Sequence, residues 1–507
     1  MKQIKSALIS VYYKDGLEEI IHKLQELNID IYTTGGTQTF IESLGVSVHR
    51  VEDLTGYPSI LGGRVKTLHP KVFGGILAIR DQDHTAQLDN YEIPAIDLVI
   101  VDLYPFEETV ATTSIESEII EKIDIGGISL IRAAAKNFND VVVIPSKDQY
   151  PQLLVFLKEQ NGYSDLTQRK QLSAEAFKIS SHYDTAIFDF LANDKQKSEV
   201  FKQSIQDGEV LRYGENPHQG AVFFGKMEDV FHKLCGKELS YNNLVDIDAA
   251  IALINEFKYQ GPTFAVIKHT NACGIATRDN IAEAWSAALA ADAVSAFGGI
   301  LIANHTIDKD AAVAIDRIFY EVLIAPDFTV EAQQILMSKS KRILLQLKSY
   351  PAPIRTFKTL LNGVIMQDAD IKTETAFDME VKTKVSPTAD ELRDLEFAAK
   401  CAKHLKSNTI VLAKNNQLLG MGCGQTSRVD ACRQAISKAI LYGFDLKGAV
   451  MASDAFFPFP DCVELVCHEG IKAVVQPGGS IKDQLSIDFC DNHGMSMVFT
   501  GLRHFRH

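Results

Sequence analysis

The chain lacks any excess of basic charge: over 507 residues, 51 Lys and Arg stand against 65 Asp and Glu, a formal net charge of −14. That balance argues against broad, unspecific nucleic-acid binding, which needs a basic surface. It leaves room for small anionic substrates held by a local cluster of Arg and Lys. Cysteine is absent from the first 234 residues, and the eight present, at 235, 273, 401, 423, 432, 462, 467 and 490, form no CxxC pair. Zinc and thioredoxin-type chemistry are disfavoured on that spacing. No apolar run is long enough to span a bilayer, and Met1-Lys2-Gln3-Ile4 leads straight into a strand pattern rather than a leader. No low-complexity tract or short tandem repeat is evident. The expectation is a cytoplasmic protein with reduced thiols and with neither a membrane nor a nucleic-acid partner.

What is present is globular: 46% hydrophobic and 23% charged residues, enough apolar material for two to four domains of ordinary size. Residues 4–12 and 29–33 read as strands, each followed by a helix, with Asp15 and Glu18 as a capping box for the first. Strands at 95–104 and 140–144 flank a helix at 127–137, the rhythm of a parallel α/β domain. Helices at 147–159 and 167–191 follow, and the polar stretch Asn193–Ser198 reads as a domain boundary. A helix at 246–258, a strand from Phe264 and an Ala-rich helix at 280–291 open the second region, with residues 348–353 as an internal connector. Alternation resumes after Pro387: helices at 389–405, 428–442, 460–469 and 480–491, strands at 408–414, 448–452, 471–476 and 495–500. The expected organisation is α/β throughout, with domains at 1–198 and 199–507, the second made of subdomains 199–365 and 366–507.

In the first region, Gly62-Gly63-Arg64-Val65-Lys66-Thr67-Leu68-His69-Pro70 gathers cationic and hydroxyl donors behind a glycine pair, which suits an anionic substrate. Thr34-Gly35-Gly36-Thr37 sits between a strand and a helix, where free amides cradle phosphate. Ser10 and Lys14 belong to the same sheet end, and Asp102 and Tyr104 close a strand where ligands gather in open α/β sheets. Asp124-Ile125-Gly126-Gly127 sets a carboxylate before a glycine pair at a helix start, with Lys136 further on.

In the second region the apolar run from Phe264 ends in Lys268-His269-Thr270-Asn271. Successive strand residues point to opposite faces, so a Lys and a His reach one pocket only where the strand has ended. There the ammonium can stabilise negative charge and the imidazole can move a proton near neutral pH. Leu211-Arg212-Tyr213-Gly214-Glu215-Asn216-Pro217-His218-Gln219 is unusually polar for a domain start. Arg212 suits a phosphate and Tyr213 a ring. SAFGG at 295–299, GQTSR at 424–428, SDAFFPF at 453–459 and RHFRH at 503–507 complete the set. The closing run reads as a docked terminus, because Phe505 is an odd residue to leave in water.

These motifs together resemble one family. ALISV, the Thr-Gly-Gly-Thr turn, GGRVKTLHP, LYPF and DIGGISLIRAAAKN are similar to the inosine monophosphate cyclohydrolase half of the bifunctional purine-biosynthesis enzymes. RYGENPHQ, KHTNACG, SAFGG, GQTSR, SDAFFPF and RHFRH resemble their transformylase half. The resemblance implies a methylglyoxal-synthase-like first domain and two cytidine-deaminase-like subdomains without zinc, and the deaminase signatures are indeed missing. It implies formyl transfer from 10-formyltetrahydrofolate to aminoimidazole carboxamide ribotide (AICAR). The product, FAICAR, then closes to inosine monophosphate (IMP) with loss of water. By the same resemblance Lys66, Tyr104, Asp124 and Lys136 catalyse closure, and Ser10, Lys14, Thr34, Gly35, Gly36, Thr37, Arg64, Thr67, Asp102, Gly126 and Gly127 hold the nucleotide. Lys268 and His269 catalyse transfer, with Arg212, Tyr213, Gly298, Glu321, Asn408, Arg503, Phe505 and His507 around AICAR. Gln425, Arg428, Asp454, Ala455, Phe456 and Phe457 form the folate region, with the two phenylalanines suited to a flat pterin. A homodimer and a monovalent cation, potassium, are carried by the resemblance alone.

Three positions depart from the family pattern. Tyr12 stands where a small hydroxyl residue is expected, Asp102 where Asn is expected, and Ala272 where Pro is usual. A carboxylate accepts but cannot donate as an amide does, so Asp102 predicts altered substrate contacts. Two alternatives remain open on these residues: an enzyme whose cyclohydrolase site has drifted, and a non-catalytic purine-nucleotide sensor. The proton-moving pairs Lys66 with Asp124 and Lys268 with His269 weigh against the sensor.

Overall fold

The computed structural model describes residues 1–61 and 65–507, which fall into two compact units, 1–206 and 207–507. The units thus divide eight residues beyond the predicted 198/199 boundary. The polar stretch Asn193–Ser198 is no open linker, since Asn193 and Gln196 form a capping box that starts a short helix, Asp194–Glu199.

The first unit is a parallel sheet. Its strands are β1 (Ser6–Ser10), β2 (Asp30–Thr33), β3 (His49–Arg50), β4 (Leu98–Val101) and β5 (Val142–Ile144), in the order β3-β2-β1-β4-β5. Every pairing is parallel. Continuous apolar runs such as Ala7-Leu8-Ile9 are buried on both faces, as sheets covered on both sides require. The order reverses between β1 and β4, so their carboxyl ends frame the crevice where ligands bind in open α/β sheets. Helix α1 (Leu17–Glu26) starts at Gly16, whose φ of 74° is left-handed, and the Asp15–Glu18 capping box does not form. The preceding turn is held instead by Lys14, whose ammonium donates to the carbonyls of Val11 and Tyr12, while Asp15 turns to Lys147. Helices α2 (Gly35–Ser43) and α3 (Gly126–Lys136) begin at the same sheet end. The long helix α4 (Leu166–Leu191) is fixed by a true capping box, Asp165 with Gln168, and buries Leu172 and Ala176 in the core of this unit. Its buried Arg169 donates to the carbonyls of Phe138, Asn139 and Ser164.

The second unit contains the same sheet twice. The first copy comprises β6 (Phe231–Cys235), α5 (Tyr241–Asn255), β7 (Thr263–Lys268), β8 (Asn271–Thr277), α6 (Ile281–Ala291), β9 (Ile300–Ala303), β10 (Val322–Ala325) and β11 (Ile343–Leu347). Its strand order is β6-β11-β10-β9-β7-β8. After an exposed hairpin, β12 (Arg355–Leu360) and β13 (Gly363–Asp368), comes the second copy. It runs β14 (Glu380–Val381), α7 (Ala389–Lys403), β15 (Ile410–Ala413), β16 (Leu418–Gly422), α8 (Arg428–Leu441), β17 (Val450–Ser453), β18 (Ala473–Gln476) and β19 (Ser496–Phe499). The order β14-β19-β18-β17-β15-β16 repeats the first sheet strand for strand, including which pairs are parallel. The predicted division at 365/366 falls inside β13. The sequence reading missed β8 and β16, the antiparallel partners that make each copy a hairpin plus a parallel half.

Side-chain alternation along β7 shows how the layers form. Ala265 and Ile267 point into a core shared by the inner faces of both sheets and by α5 and α7. Phe264 and Val266 point outward beneath α6. Helix α6 comes so close to β8 that a Cβ on Gly274 would collide with the Ala288 carbonyl, and Gly420 repeats this against Ala435 of α8. Between the copies, Glu256 just after α5 accepts from Lys403 at 2.7 Å and from Thr373 at 2.5 Å, and it pairs with His404 at 2.9 Å.

Burial raises the Glu256 pKa, but the bonds from His404, Lys403 and Thr373 outweigh it and pull the group from the usual 4.5 down to about 2. A depressed folded-state pKa contributes stability above the unfolded value that is lost as pH falls through the folded one. Glu256→Gln is expected to destabilise the second unit by about 3 kcal/mol near neutrality. That gap from wild type should narrow between pH 4.5 and 2. Urea unfolding of both proteins at neutral and acid pH measures it, and a pH-independent gap refutes the assignment.

Candidate functional site

In the first unit, candidate residues converge on the carboxyl end of the sheet. Ser10 ends β1, and the hydroxyl of Thr37 bonds the Val11 amide and carbonyl at 3.1 and 3.0 Å. The Thr34 hydroxyl is committed to Glu52 at 2.7 Å, so no side chain caps α2, and its first-turn amides stay open to an anion. Gly35 adopts φ +61°, and a Cβ there would lie 2.6 Å from Lys66 Nζ, so the ammonium rests against bare backbone. A Cβ on Gly126 would stand 3.1 Å from the Thr67 hydroxyl, and one on Gly127 would stand 2.5 Å from Asp124 Oδ2. The Gly127 amide donates to Asp124 Oδ1 at 2.7 Å. Tyr183 of α4 holds this loop by accepting from the Asp124 amide at 2.9 Å and donating to the Lys122 carbonyl at 2.5 Å. Gly36 follows in the first turn of α2, and Arg64 lies outside the described residues.

Burial raises the Asp124 pKa and the nearby Asp102 charge adds to it, against the pull of backbone amides at Gly127, Tyr104 and Gly126. Burial, Asp124 and Asp102 raise the Tyr104 phenol. A carboxyl displaced toward neutrality suits proton transfer. Asp102 is occupied differently from the sequence expectation. It reaches across the β1–β4 crevice and accepts from the Tyr12 amide and, at 3.0 Å, from the Tyr13 amide. Tyr12 and Tyr104 meet edge to face at 5.7 Å, and the Lys122 ammonium lies over both rings. Lys136 ends α3, about 15 Å along the helix from Gly126 at 1.5 Å per residue. It lines a separate groove with Phe73, Leu77, Arg132 and Phe177.

In the second unit, Lys268 and Asn271 close a two-residue hairpin whose tip is His269 (φ 53°) and Thr270 (φ 64°). The strand has ended, as the sequence required. Lys268 Nζ donates to the Phe297 carbonyl at 2.8 Å, and His269 is exposed. Asp246 of α5 accepts from the Thr270 amide at 2.7 Å. Around this tip Gly298 takes φ 74° and donates to the Phe319 carbonyl. Glu321 pairs with Lys237 at 3.0 Å and accepts from Asn243 at 3.2 Å. Burial raises the Glu321 pKa, but Lys237, Asn243 and the charge of Arg212 lower it further, to a net depression. Arg212 lies on the Tyr213 ring and donates to its hydroxyl at 2.8 Å.

A second group gathers at the carboxyl edge of the second sheet. Asn408 donates to the Gln425 carbonyl at 2.9 Å. Arg428 bonds Ser453 at 2.8 Å and Asp454 at 2.6 Å. Ala455 is buried beside them. The terminus is docked, with Arg506 and Ser407 exchanging bonds at 3.0 Å and His504 caught between Asp370 and Glu374. Phe505 is nonetheless 41% exposed, carrying Arg503 on its face, with His507 next to it. The pairing of both phenylalanines with a pterin fails for one of them. The Phe457 ring is 0% exposed in the outer core while its amide donates to Gln476, so only the half-buried Phe456 can face a ligand. The two groups touch where the Lys406 amide donates to Asn271 at 3.3 Å. Among the described residues no contact joins Arg212 to Arg503. Sequence reasoning overlooked Asp246, Lys237, Asn243 and Lys122. For Asp246 a signal existed, because Asp394 occupies the same place in the repeated half.

A family model described as AICARFT/IMPCHase bienzyme matches residues 134–438, and one described as an MGS-like domain matches residues 16–129. A bifunctional purine biosynthesis protein PurH of Bacteroides thetaiotaomicron is 58% identical over 507 residues, covering 100% of this chain and 99% of the relative. Proteins of the same name from Acetivibrio thermocellus and Chlorobium phaeobacteroides are 47% and 45% identical. Each covers 99% of this chain, and 100% and 99% of the relatives' lengths.

Gly35→Ala tests the close approach at Lys66. The left-handed φ and the 2.6 Å encounter are expected to cost about 1–3 kcal/mol in unfolding of the first unit, read by urea denaturation. A neutral result removes the requirement for bare backbone there.

Proposed function

The chain belongs to the AICARFT/IMPCHase bienzyme family, and from that premise we propose how its two units divide the work. The protein is a bifunctional enzyme of purine biosynthesis that formylates AICAR and cyclises FAICAR to IMP. In our reading the first unit carries cyclisation and the second formyl transfer. The carrying observation is that each unit holds its own charge-stabilising lysine and proton mover, Lys66 with Asp124 and Lys268 with His269.

In the first unit the carboxamide nitrogen of FAICAR attacks the formyl carbon, the ring closes, and water leaves. Negative charge builds on the formyl oxygen, where the Lys66 ammonium and the amides at Gly126 and Gly127 act. Asp124 takes the proton from the attacking nitrogen, with Tyr104 beside it. The open amides of α2, with Ser10, Lys14, Thr67 and Arg64, hold the nucleotide and its phosphate. In the second unit the AICAR amine, weakened by conjugation with the imidazole and its carboxamide, attacks the formyl carbon of 10-formyltetrahydrofolate. His269 takes the amine proton as the N–C bond forms, Lys268 faces the developing oxyanion, and the proton held by His269 passes to the folate nitrogen as the C–N bond to folate breaks. Arg212, Tyr213, Gly298, Glu321, Asn408, Arg503 and His507 surround AICAR, while Gln425, Arg428, Asp454, Ala455 and Phe456 form the folate side.

For potassium the support is Asp454 Oδ2, buried without a hydrogen-bond partner among the described residues, beside a cavity of about 10 Å³ whose lining includes Ser453, Gln476 and Thr500 but also Lys403 and His504. One carboxylate already bonded to Arg428 suits a monovalent ion better than a divalent one, and its contribution would be structural. A homodimer is supported by the projecting β12–β13 hairpin, which leaves Phe357, Leu361, Ile365 and Met366 exposed. A cytoplasmic location accords with eight free cysteines. The repeated sheet accords with two subdomains of cytidine-deaminase type.

His269→Ala is expected to lower formyl transfer by about 10²–10⁴-fold and to leave FAICAR cyclisation unchanged, with Asp124→Asn doing the reverse. Both assays on the full chain decide this. Loss of both activities in either folded variant counts against separate sites. Absence of cyclisation in the wild type would favour a drifted first unit.

A further inference from the structure

His269 and Thr270 both hold left-handed backbone, φ 53° and 64°, in a two-residue hairpin loop. Such loops favour Asn and Gly, and a β-branched threonine there is strained. Something must hold the loop, and the carboxylate of Asp246 does so: Oδ1 accepts the Thr270 amide at 2.7 Å.

The internal repeat supplies a control. The equivalent hairpin tip in the second copy is Asn415-Asn416, with φ 52° and 51°, closed by Lys414 and Gln417. Asp394 sits in the sixth position of α7, as Asp246 does in the sixth position of α5. It accepts the Asn415 and Asn416 amides at 2.8 and 2.7 Å. Even the lysine strap repeats, since Lys414 donates to the Lys447 carbonyl as Lys268 does to Phe297. The clamp is therefore a device of the fold, and only the first copy puts an imidazole on it.

We propose that Asp246 is a positioning residue of the formyl-transfer site, holding the His269–Thr270 loop so that the imidazole is presented at the hairpin tip. This rests on the reading of His269 as the proton acceptor in that reaction. Asp246 contributes no atom to the chemistry. It fixes where the base stands, and a displacement of the order of an ångström at a reacting group costs about a hundredfold in rate.

The test uses full-length Asp246→Asn and Asp394→Asn, near-isosteric changes that remove the carboxylate charge and put an amide donor in place of one acceptor oxygen. Thermal midpoints are expected to fall similarly in both. Only Asp246→Asn should lower kcat for formyl transfer, by about a hundredfold, with the KM for AICAR held within about threefold. Cyclisation should be unchanged in both. Adding Thr270→Gly to Asp246→Asn is expected to restore about tenfold of the lost kcat, because glycine takes positive φ without strain. The double variant also answers if the single one folds poorly. Equal kcat losses in the two aspartate variants, a change in KM alone, or no recovery with glycine would overturn the proposal. His269→Ala separates the two ideas. If it retains formyl transfer, the assignment of the base has failed. If it is inactive while Asp246→Asn turns over normally, only the role of Asp246 has failed.

Discussion

The second unit depends on a tight hairpin that is made twice and clamped twice. A two-residue loop lets an antiparallel strand return at once, and in both of these loops the two residues take positive φ. Each copy meets that demand by lending a carboxylate from the preceding helix, Asp246 or Asp394, to the loop amides. The returning strand is then pressed against the next helix at a glycine, Gly274 under α6 and Gly420 under α8, where no side chain fits. Helix, hairpin and helix are thereby locked in register, and the parallel half of each sheet builds outward from that block.

The two copies use their tips for opposite ends. The second tip is consumed by structure. The Asn416 carbonyl accepts from Thr277, and Arg278 donates to the Asn415 carbonyl and to Gln417, so this hairpin caps the base of the first. Among the described residues the first tip meets the base of the second through one hydrogen bond, from the Lys406 amide to Asn271, and His269 is exposed. A near-symmetric arrangement thus yields one tip bonded to its neighbour and one tip with fewer such bonds, although Asn415 and His269 are both exposed. Asn fits left-handed backbone at the second tip without strain. His and Thr at the first tip fit it poorly, a conflict between local preference and fold that the second tip does not have.

Much of the architecture was legible because the strands are short apolar runs and the helices carry periodic stripes. The helices predicted at 389–405 and 428–442 differ from the observed α7 and α8 by only one or two residues at an end. The hairpins were not legible, since neither His-Thr nor Asn-Asn is the Asn-Gly or Asp-Gly pair that announces such a loop. Their specification lies more than twenty residues upstream, in Asp246 and Asp394. Lys136 was grouped with Asp124 by motif, yet an eleven-residue helix separates it from Gly126. Phe456 and Phe457 were grouped by the family resemblance of SDAFFPF. Adjacent residues rarely face the same way, and the bond from the Phe457 amide to Gln476 accompanies a ring turned into the core.

Asp102 shows the same limit from the other side. As a lone departure from a family pattern it reads as a change in what the substrate meets. In the fold it spans the point where the strand order reverses, and its two oxygens take the amides of Tyr12 and Tyr13. An asparagine has one acceptor oxygen for those two donors, so the carboxylate is the better fastener for this turn. Its charge then acts at a distance, adding to the burial that raises Asp124 and Tyr104. The carboxylate that fastens this turn therefore also biases Asp124 toward the protonated form, so one residue links local backbone geometry to the acid–base character of a neighbouring carboxyl.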